Sequence, residues 1–378
     1  MSKPKLQQLA EYGQSIWLDY IDRPLIESGK LNSMIAQGLR GMTSNPAIFN
    51  QAIGQSNEYD EVIISLKRQG KTAFDIYDAL TIKDIQDAAD VFKPVYEQTK
   101  GLDGHVSLEI NPLLANKVDE QIKEGKRLFE KVARPNCMIK VPSTTEGFAV
   151  IEELIACGIN VNVTLIFSQA QYEKTVQAYW RGLKKFASKG GNLRQVRSVA
   201  SVFVSRVDTL VDQRIEDLIK VEKDASRKAM LTGLLGKAAV ANCRNIFENF
   251  RQLFASEAFT ELRQQNANIQ RVLWGSTGTK NPAYSDVKYI EELIVQPTVN
   301  TVPEKTINAF IDHGAVKDGF VSDARESQKI IALLKDSGIN IEDICQQLMK
   351  EGCVAFDKAF ETLLQSITKK AESLASVK

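Results

Sequence analysis

Short apolar runs rich in strand-forming residues alternate with amphipathic helical stretches along most of this chain. That alternation constrains the fold more than any other feature. Parallel strands need a crossover of about a dozen residues or more, usually a helix, so a strand–helix alternation predicts a parallel sheet clad in helices. The strand candidates are Ser15–Asp19, Leu39–Ser44, His105–Ile110, Cys137–Val141, Asn160–Phe167, Val199–Val204, Arg271–Trp274 and a weaker one near Val299–Thr301. Between them run helical repeats: Leu114, Val118, Ile122, Phe129 and Val132; Phe148, Ile151, Leu154 and Ile155; Tyr172, Val176, Tyr179, Leu183 and Phe186. Eight strands separated by helices favour an α/β fold of the closed (β/α)₈ barrel type over an open sheet.

Two stretches exceed a minimal barrel. Residues 208–265 carry a charged, leucine-spaced helical region, read as an inserted hairpin or layer. The tail from 341 to 378 places Ile344, Leu348, Phe356, Phe360 and Leu364 at helical spacing. No Pro/Gly-rich linker, repeat or low-complexity stretch divides the chain, so 1–378 reads as one elaborated domain.

Composition narrows the function. Forty-eight Lys and Arg against 47 Asp and Glu leave no net field for nucleic acid or a membrane surface. An anionic ligand therefore needs a local cluster of cations. The segment from Met1 to Glu11 has no signal-like apolar run, and no stretch approaches the roughly 18 apolar residues of a membrane span. Cys137, Cys157, Cys243, Cys345 and Cys353 are scattered without a CxxC pair, as expected of thiols in a reducing compartment. His105 and His313 stand alone, which argues against a histidine metal centre or a Ser-His-Asp triad. The chemistry falls to carboxylates, amines and amides.

Lys140 is the amine to consider, set in the apolar run Cys137-Met138-Ile139-Lys140-Val141. A lysine shut away from water becomes a better neutral nucleophile, as Schiff-base chemistry on a ketone or aldehyde requires. The alternative is a strand-end lysine that snorkels to water. Barrel active sites form at the C-terminal ends of the strands, and residues two apart share a strand face. Ser107 with Glu109, Asn162 with Thr164, and Ser201 with Phe203 obey that rule, while Asp19 and Asn45 end the first two strands. Singly, each has a structural explanation: Asp19 as a helix cap, Asn45 before Pro46 as a turn, Glu109 as an ion-pair partner, Thr164 as a strand former. Together, around one lysine, they describe a site.

These segments resemble the transaldolase family. Gly41-Met42-Thr43-Ser44-Asn45-Pro46-Ala47-Ile48-Phe49 is similar to its asparagine signature, and Met138-Ile139-Lys140-Val141-Pro142-Ser143-Thr144 to its Schiff-base segment. Asn162-Val163-Thr164-Leu165-Ile166-Phe167-Ser168 and Ser201-Val202-Phe203-Val204-Ser205-Arg206 resemble the next two strand ends, in order. The likeness runs from about 15 to about 310 and matches the longer bacterial subgroup, with its helical insertion. It implies a cytoplasmic, cofactor-free enzyme of the non-oxidative pentose phosphate pathway. Such an enzyme moves a dihydroxyacetone unit from sedoheptulose 7-phosphate or fructose 6-phosphate to glyceraldehyde 3-phosphate or erythrose 4-phosphate. By the same resemblance Lys140 forms the Schiff base, Glu109 is the acid working through a water held by Thr164, and Asp19 moves the C4 hydroxyl proton. Asn45 and Asn162 hold hydroxyls of the three-carbon unit, and Arg206, beside Ser201, takes the phosphate.

One departure stands out. Where many members carry an arginine after the seventh strand, this chain reads Trp274-Gly275-Ser276-Thr277-Gly278-Thr279-Lys280, so Lys280 is the expected second cation. The shorter fructose-6-phosphate aldolases, which release free dihydroxyacetone, carry glutamine and tyrosine where Glu109 and Phe203 stand here. This chain is expected to transfer. A barrel that only binds sugar phosphates is the remaining alternative, and both monomer and homodimer stay open.

Overall fold

In the computed structural model, which describes residues 3–320 and 324–376, eight parallel strands close into a barrel in sequence order. They are β1 (Gln14–Leu18), β2 (Gly41–Thr43), β3 (His105–Glu109), β4 (Cys137–Pro142), β5 (Val161–Ile166), β6 (Ser198–Phe203), β7 (Arg271–Gly275) and β8 (Thr298–Val302). The closing pair is β8 on β1, with Gln14 opposite Thr298 and Leu18 opposite Val302. Every strand candidate is a strand, including the weak eighth. β2 is shorter than its sequence pattern because Leu39 N–H still donates to Met34 of the preceding helix, and registered pairing starts at Gly41.

Strand alternation sorts each sequence into two environments. Ile139 and Val141 of β4 join the large core between barrel and helices. Met138 faces inward, packing with Trp17, Val199, Leu273 and Val299 as a separate apolar plug across the barrel. Gly41 makes room for that plug: a Cβ there would lie 2.6 Å from the Trp17 indole. The plug divides the interior. On the side of the N-terminal strand ends, Arg271 pairs with Asp103; on the other side lies Lys140.

Local sequence fixes the strand ends around Lys140. Thr144 caps the helix after β4, and Ser168 with Gln171 forms a capping box after β5. Pairing between β5 and β6 shifts register between Val163 and Ile166, and Leu165 turns into the left-handed region at φ 60°. Ser143 Oγ donates to Leu165 O at 2.8 Å and so braces this irregular residue, one position after Thr164.

Between β6 and β7 come helices Ser205–Val221, Ala225–Thr232, Ala238–Ala255 and Glu257–Gln264. Asp208 accepts from Ala239 N–H and the Tyr289 hydroxyl, each at 2.7 Å. Asp212 accepts from Gly236 N–H at 2.8 Å and the Tyr284 hydroxyl at 2.7 Å. Burial pushes both carboxyls up, Asp208 to about 6. These bonds tie the loop after β7 to the inserted helices. The last helix, Ile341–Ser376, packs on segments that follow β2, β3 and β6 and on β5 itself, so it crosses the C-terminal mouth of the barrel.

Candidate active site

Lys140 sits on β4 opposite Glu109 of β3 and Asn162 of β5. Its Nζ donates to Ser44 O at 3.0 Å and lies 3.6 Å from Glu109 Oε2. The apolar neighbours in its sequence, Ile139 and Val141, face the outer core and do not surround it. What shuts it from water is the barrel interior: the plug below and Phe356 above, whose ring centre is 5.9 Å from Nζ.

A cavity of about 110 Å³ opens beside it, lined by Asp19, Thr43, Asn45, Asn162, Thr164 and Arg206 among others. Ser201 and Phe203 also border this space. Polar bonds organise its floor. Ser201 Oγ donates to Asn162 Oδ1 at 2.6 Å, and Asn162 Nδ2 donates to Ser107 Oγ at 3.1 Å, which fixes the amide's orientation. Thr43 Oγ1 donates to Asp19 Oδ1 at 2.9 Å. Burial raises the Asp19 carboxyl above its ordinary range, opposed by the positive charge of Lys140 and by the Thr43 bond. Burial pushes Glu109 up to about 7 against the same charge, a value suited to proton exchange near neutrality. Glu109 Oε2 and Thr164 Oγ1 are buried without a hydrogen-bond partner. Orphaned polar atoms of this kind cost stability, on the order of 1–3 kcal/mol each, and mark places where a substrate or water belongs.

Asn45 has a double employment. Its Oδ1 caps the short helix Pro46–Phe49 by accepting from Ile48 N–H at 3.0 Å, which leaves the amide N–H groups for a ligand. Arg206 begins the first inserted helix, its guanidinium 5.5 Å from the Phe203 ring centre. It lines the Lys140 cavity and an adjoining one of about 440 Å³. Lys280 lies outside the Lys140 cavity, on the exposed loop after β7. It lines that second cavity with Arg206, and partial burial and the nearby arginine both lower its pKa.

The same segments carry the family's sequence pattern across the whole barrel. A family model described as transaldolase/fructose-6-phosphate aldolase matches residues 16–367. The chain belongs to this family. It is 42% identical to the transaldolase of Trichodesmium erythraeum, over 98% of this chain and 99% of that one. It is 41% identical to transaldolase 2 of Nostoc punctiforme over the full length of both chains, and 41% identical to the transaldolase of Saccharopolyspora erythraea over 96% of each. In this chain, strand ends from around the barrel converge on one lysine.

The site also holds residues that the sequence did not single out for it. Thr43 orients Asp19, and Ser44 offers the carbonyl that holds Lys140. Ser276, at φ 54°, turns the chain after β7 beside Gly275 and lines the cavity. Phe356 comes from the C-terminal helix. Thr43 and Ser44 stood within the asparagine motif; Phe356 showed only as part of a helical stripe, with no sign that it reaches the site. Among the described residues, no group of three or more His, Cys, Asp or Glu is gathered to hold a metal ion, and no helix is long and apolar enough to cross a membrane.

Proposed function

We propose that this protein is a transaldolase that moves a dihydroxyacetone unit between sugar phosphates through a Schiff base on Lys140. The observation that carries this is a buried lysine amine between two carboxyls of raised pKa, opening into a polar cavity with a guanidinium on its wall. The Nζ attacks the C2 carbonyl of the ketose. The carbinolamine then loses its oxygen as water, with Glu109 supplying the proton, and the resulting iminium draws electrons from the C3–C4 bond as it breaks. Thr164, with its unpartnered hydroxyl, holds the water through which Glu109 acts.

Asp19 takes the C4 hydroxyl proton as the aldose leaves and returns it when the acceptor adds. The amides of Asn45 and Asn162 hold the hydroxyls of the unit left on the enzyme. Arg206 binds the phosphate through its planar fork, with Lys280 assisting from the outer cavity. Transfer, and not release of free dihydroxyacetone, is favoured by Glu109 and by Phe203 at the cavity wall. The test is borohydride reduction in the presence of fructose 6-phosphate followed by peptide mass analysis. A three-carbon adduct on Lys140 is expected; an adduct on another lysine, or none from active protein, rules the scheme out.

A further inference from the structure

Two cavities meet at the C-terminal helix. The first is the Lys140 cavity. The second, of about 20 Å³, lies behind Glu109 and is lined by Gln121, Pro142, Leu165, Cys353, Phe356 and Asp357 among others. Among the described residues, Phe356 is the one that lines both. The smaller space is the size of a single water molecule, which also needs two or more polar partners. Three of its lining residues carry buried oxygens without a hydrogen bond: Glu109 Oε2, which lies 3.6 Å from Lys140 Nζ, Gln121 Oε1 and Asp357 Oδ1.

The helix holds Phe356 in place from both directions. One turn before it, Gly352 lies directly on Leu165, where a Cβ would come 2.9 Å from Leu165 Cδ2. One turn after it, buried Phe360 stacks edge-on against Tyr77, with ring centres 5.1 Å apart. Further along, Lys370 pairs with Asp60 at 2.8 Å. The ring therefore stands as a fixed wall between Lys140 and the chamber at the back of its acid.

We propose that Phe356 is a specificity-determining residue that rations water to the three-carbon intermediate on Lys140. This inference rests on the Schiff-base scheme above. After the first aldose leaves, the intermediate has two fates. In one, an aldose phosphate is captured: its carbonyl carbon bonds to C3, its oxygen takes the proton held by Asp19, and one water then hydrolyses the product iminium and frees Lys140. In the other, protonation gives back the iminium, water adds at C2, the C–N bond breaks, and free dihydroxyacetone and the lysine amine result. Both fates end with one water and part only at C3, so a wall that keeps water on the Glu109 side from delivering a proton to C3 slows only the second fate. Its effect is therefore a ratio within one intermediate, which loss of folded protein cannot change.

The experiment uses the full chain with Phe356→Leu and Phe356→Ala. Free dihydroxyacetone released from fructose 6-phosphate is measured against transfer to an aldose phosphate, and Lys140 is trapped with borohydride in parallel. The release-to-transfer ratio is expected to rise about tenfold in Phe356→Ala and less in Phe356→Leu, a change of one decade in relative rate. The Lys140 adduct should still form. An unchanged ratio, with both activities falling together, makes Phe356 packing and overturns the proposal. Absence of an adduct on Lys140 in the unsubstituted protein overturns the parent scheme and this inference with it.

Discussion

Two ion pairs lie inside this barrel at matching depth, one at each end of the apolar plug. The side chains of Arg271 and Asp103 are 6% and 7% exposed; those of Lys140 and Glu109 are 7% and 6% exposed. The first pair is closed. Arg271 donates to Asp103 at 2.8 Å, to Ser15 Oγ at 3.0 Å and to Leu102 O, and Ser15 Oγ donates to the other Asp103 oxygen at 2.9 Å. The second is open: its charges are 3.6 Å apart, and Glu109 Oε2 has no hydrogen bond. Equal burial with unequal bonding separates their uses. A buried charge held by several bonds at once fixes the fold in one arrangement. A buried charge left short of partners costs stability and stays ready for a substrate.

The largest effect expected from this contrast is at Lys140. Lys140→Met keeps the side chain's bulk and leaves Glu109 free to take a proton, so the barrel should unfold with little change in stability. Turnover should fall by at least roughly four orders of magnitude, because the covalent route is gone. Residual turnover within a factor of ten of the parent protein would show that another amine does the work.

Arg271→Met is the mirror experiment. It strands Asp103 in the interior without its cation, and a broken buried pair costs about 3–5 kcal/mol. Urea unfolding should report that loss, while turnover per folded molecule stays near the parent value. If activity per folded molecule collapses instead, the two ends of the barrel are coupled and the division drawn by the plug is wrong.

Glu109 supplies a titration. Its folded pKa of about 7 lies above the ordinary carboxyl value of 4.5, so the folded chain holds a proton that the unfolded chain has released. Its contribution to stability is complete below the unfolded value and is lost as pH rises through about 7. Compared with Glu109→Gln, the parent protein should lose on the order of 2–3 kcal/mol between pH 4.5 and 8. A difference that is flat with pH, or that runs the other way, contradicts the assignment of a desolvated acid.

The barrel and the polar side of the site were open to view in the sequence, for a physical reason. Strand and helix periodicities are local, and a two-residue alternation tells which side chains share a face, so Glu109, Lys140, Asn162 and Thr164 could be grouped without coordinates. What faces a helix is not local. Phe356 was legible as part of a helical stripe with Phe360 and Leu364, but the pattern cannot say whether that stripe meets another helix or the mouth of a barrel. Lys280 shows the same limit for loops: its charge and its proximity to strand seven were visible, its distance from the Lys140 cavity was not. The source of Lys140's seclusion was also misplaced, since neighbours in sequence along a strand point to opposite faces.

The smallest effect tests how finely the open end is tuned. The Phe203 ring stands beside the Lys140 cavity, edge-on to Phe167 at 5.5 Å and facing the Arg206 guanidinium at 5.5 Å. Phe203→Tyr adds a hydroxyl that can orient a water or pass a proton where the parent offers only an apolar face. Release of free dihydroxyacetone from fructose 6-phosphate should rise a few-fold and transfer should fall, with stability changed by no more than about 0.5 kcal/mol. If both activities drop together with the melting temperature, the ring is packing and not part of the selection. Combining it with Phe356→Leu decides whether the two rings guard one water. Independent barriers multiply their effects on the release-to-transfer ratio, whereas barriers to the same water give a double variant little different from the stronger single one.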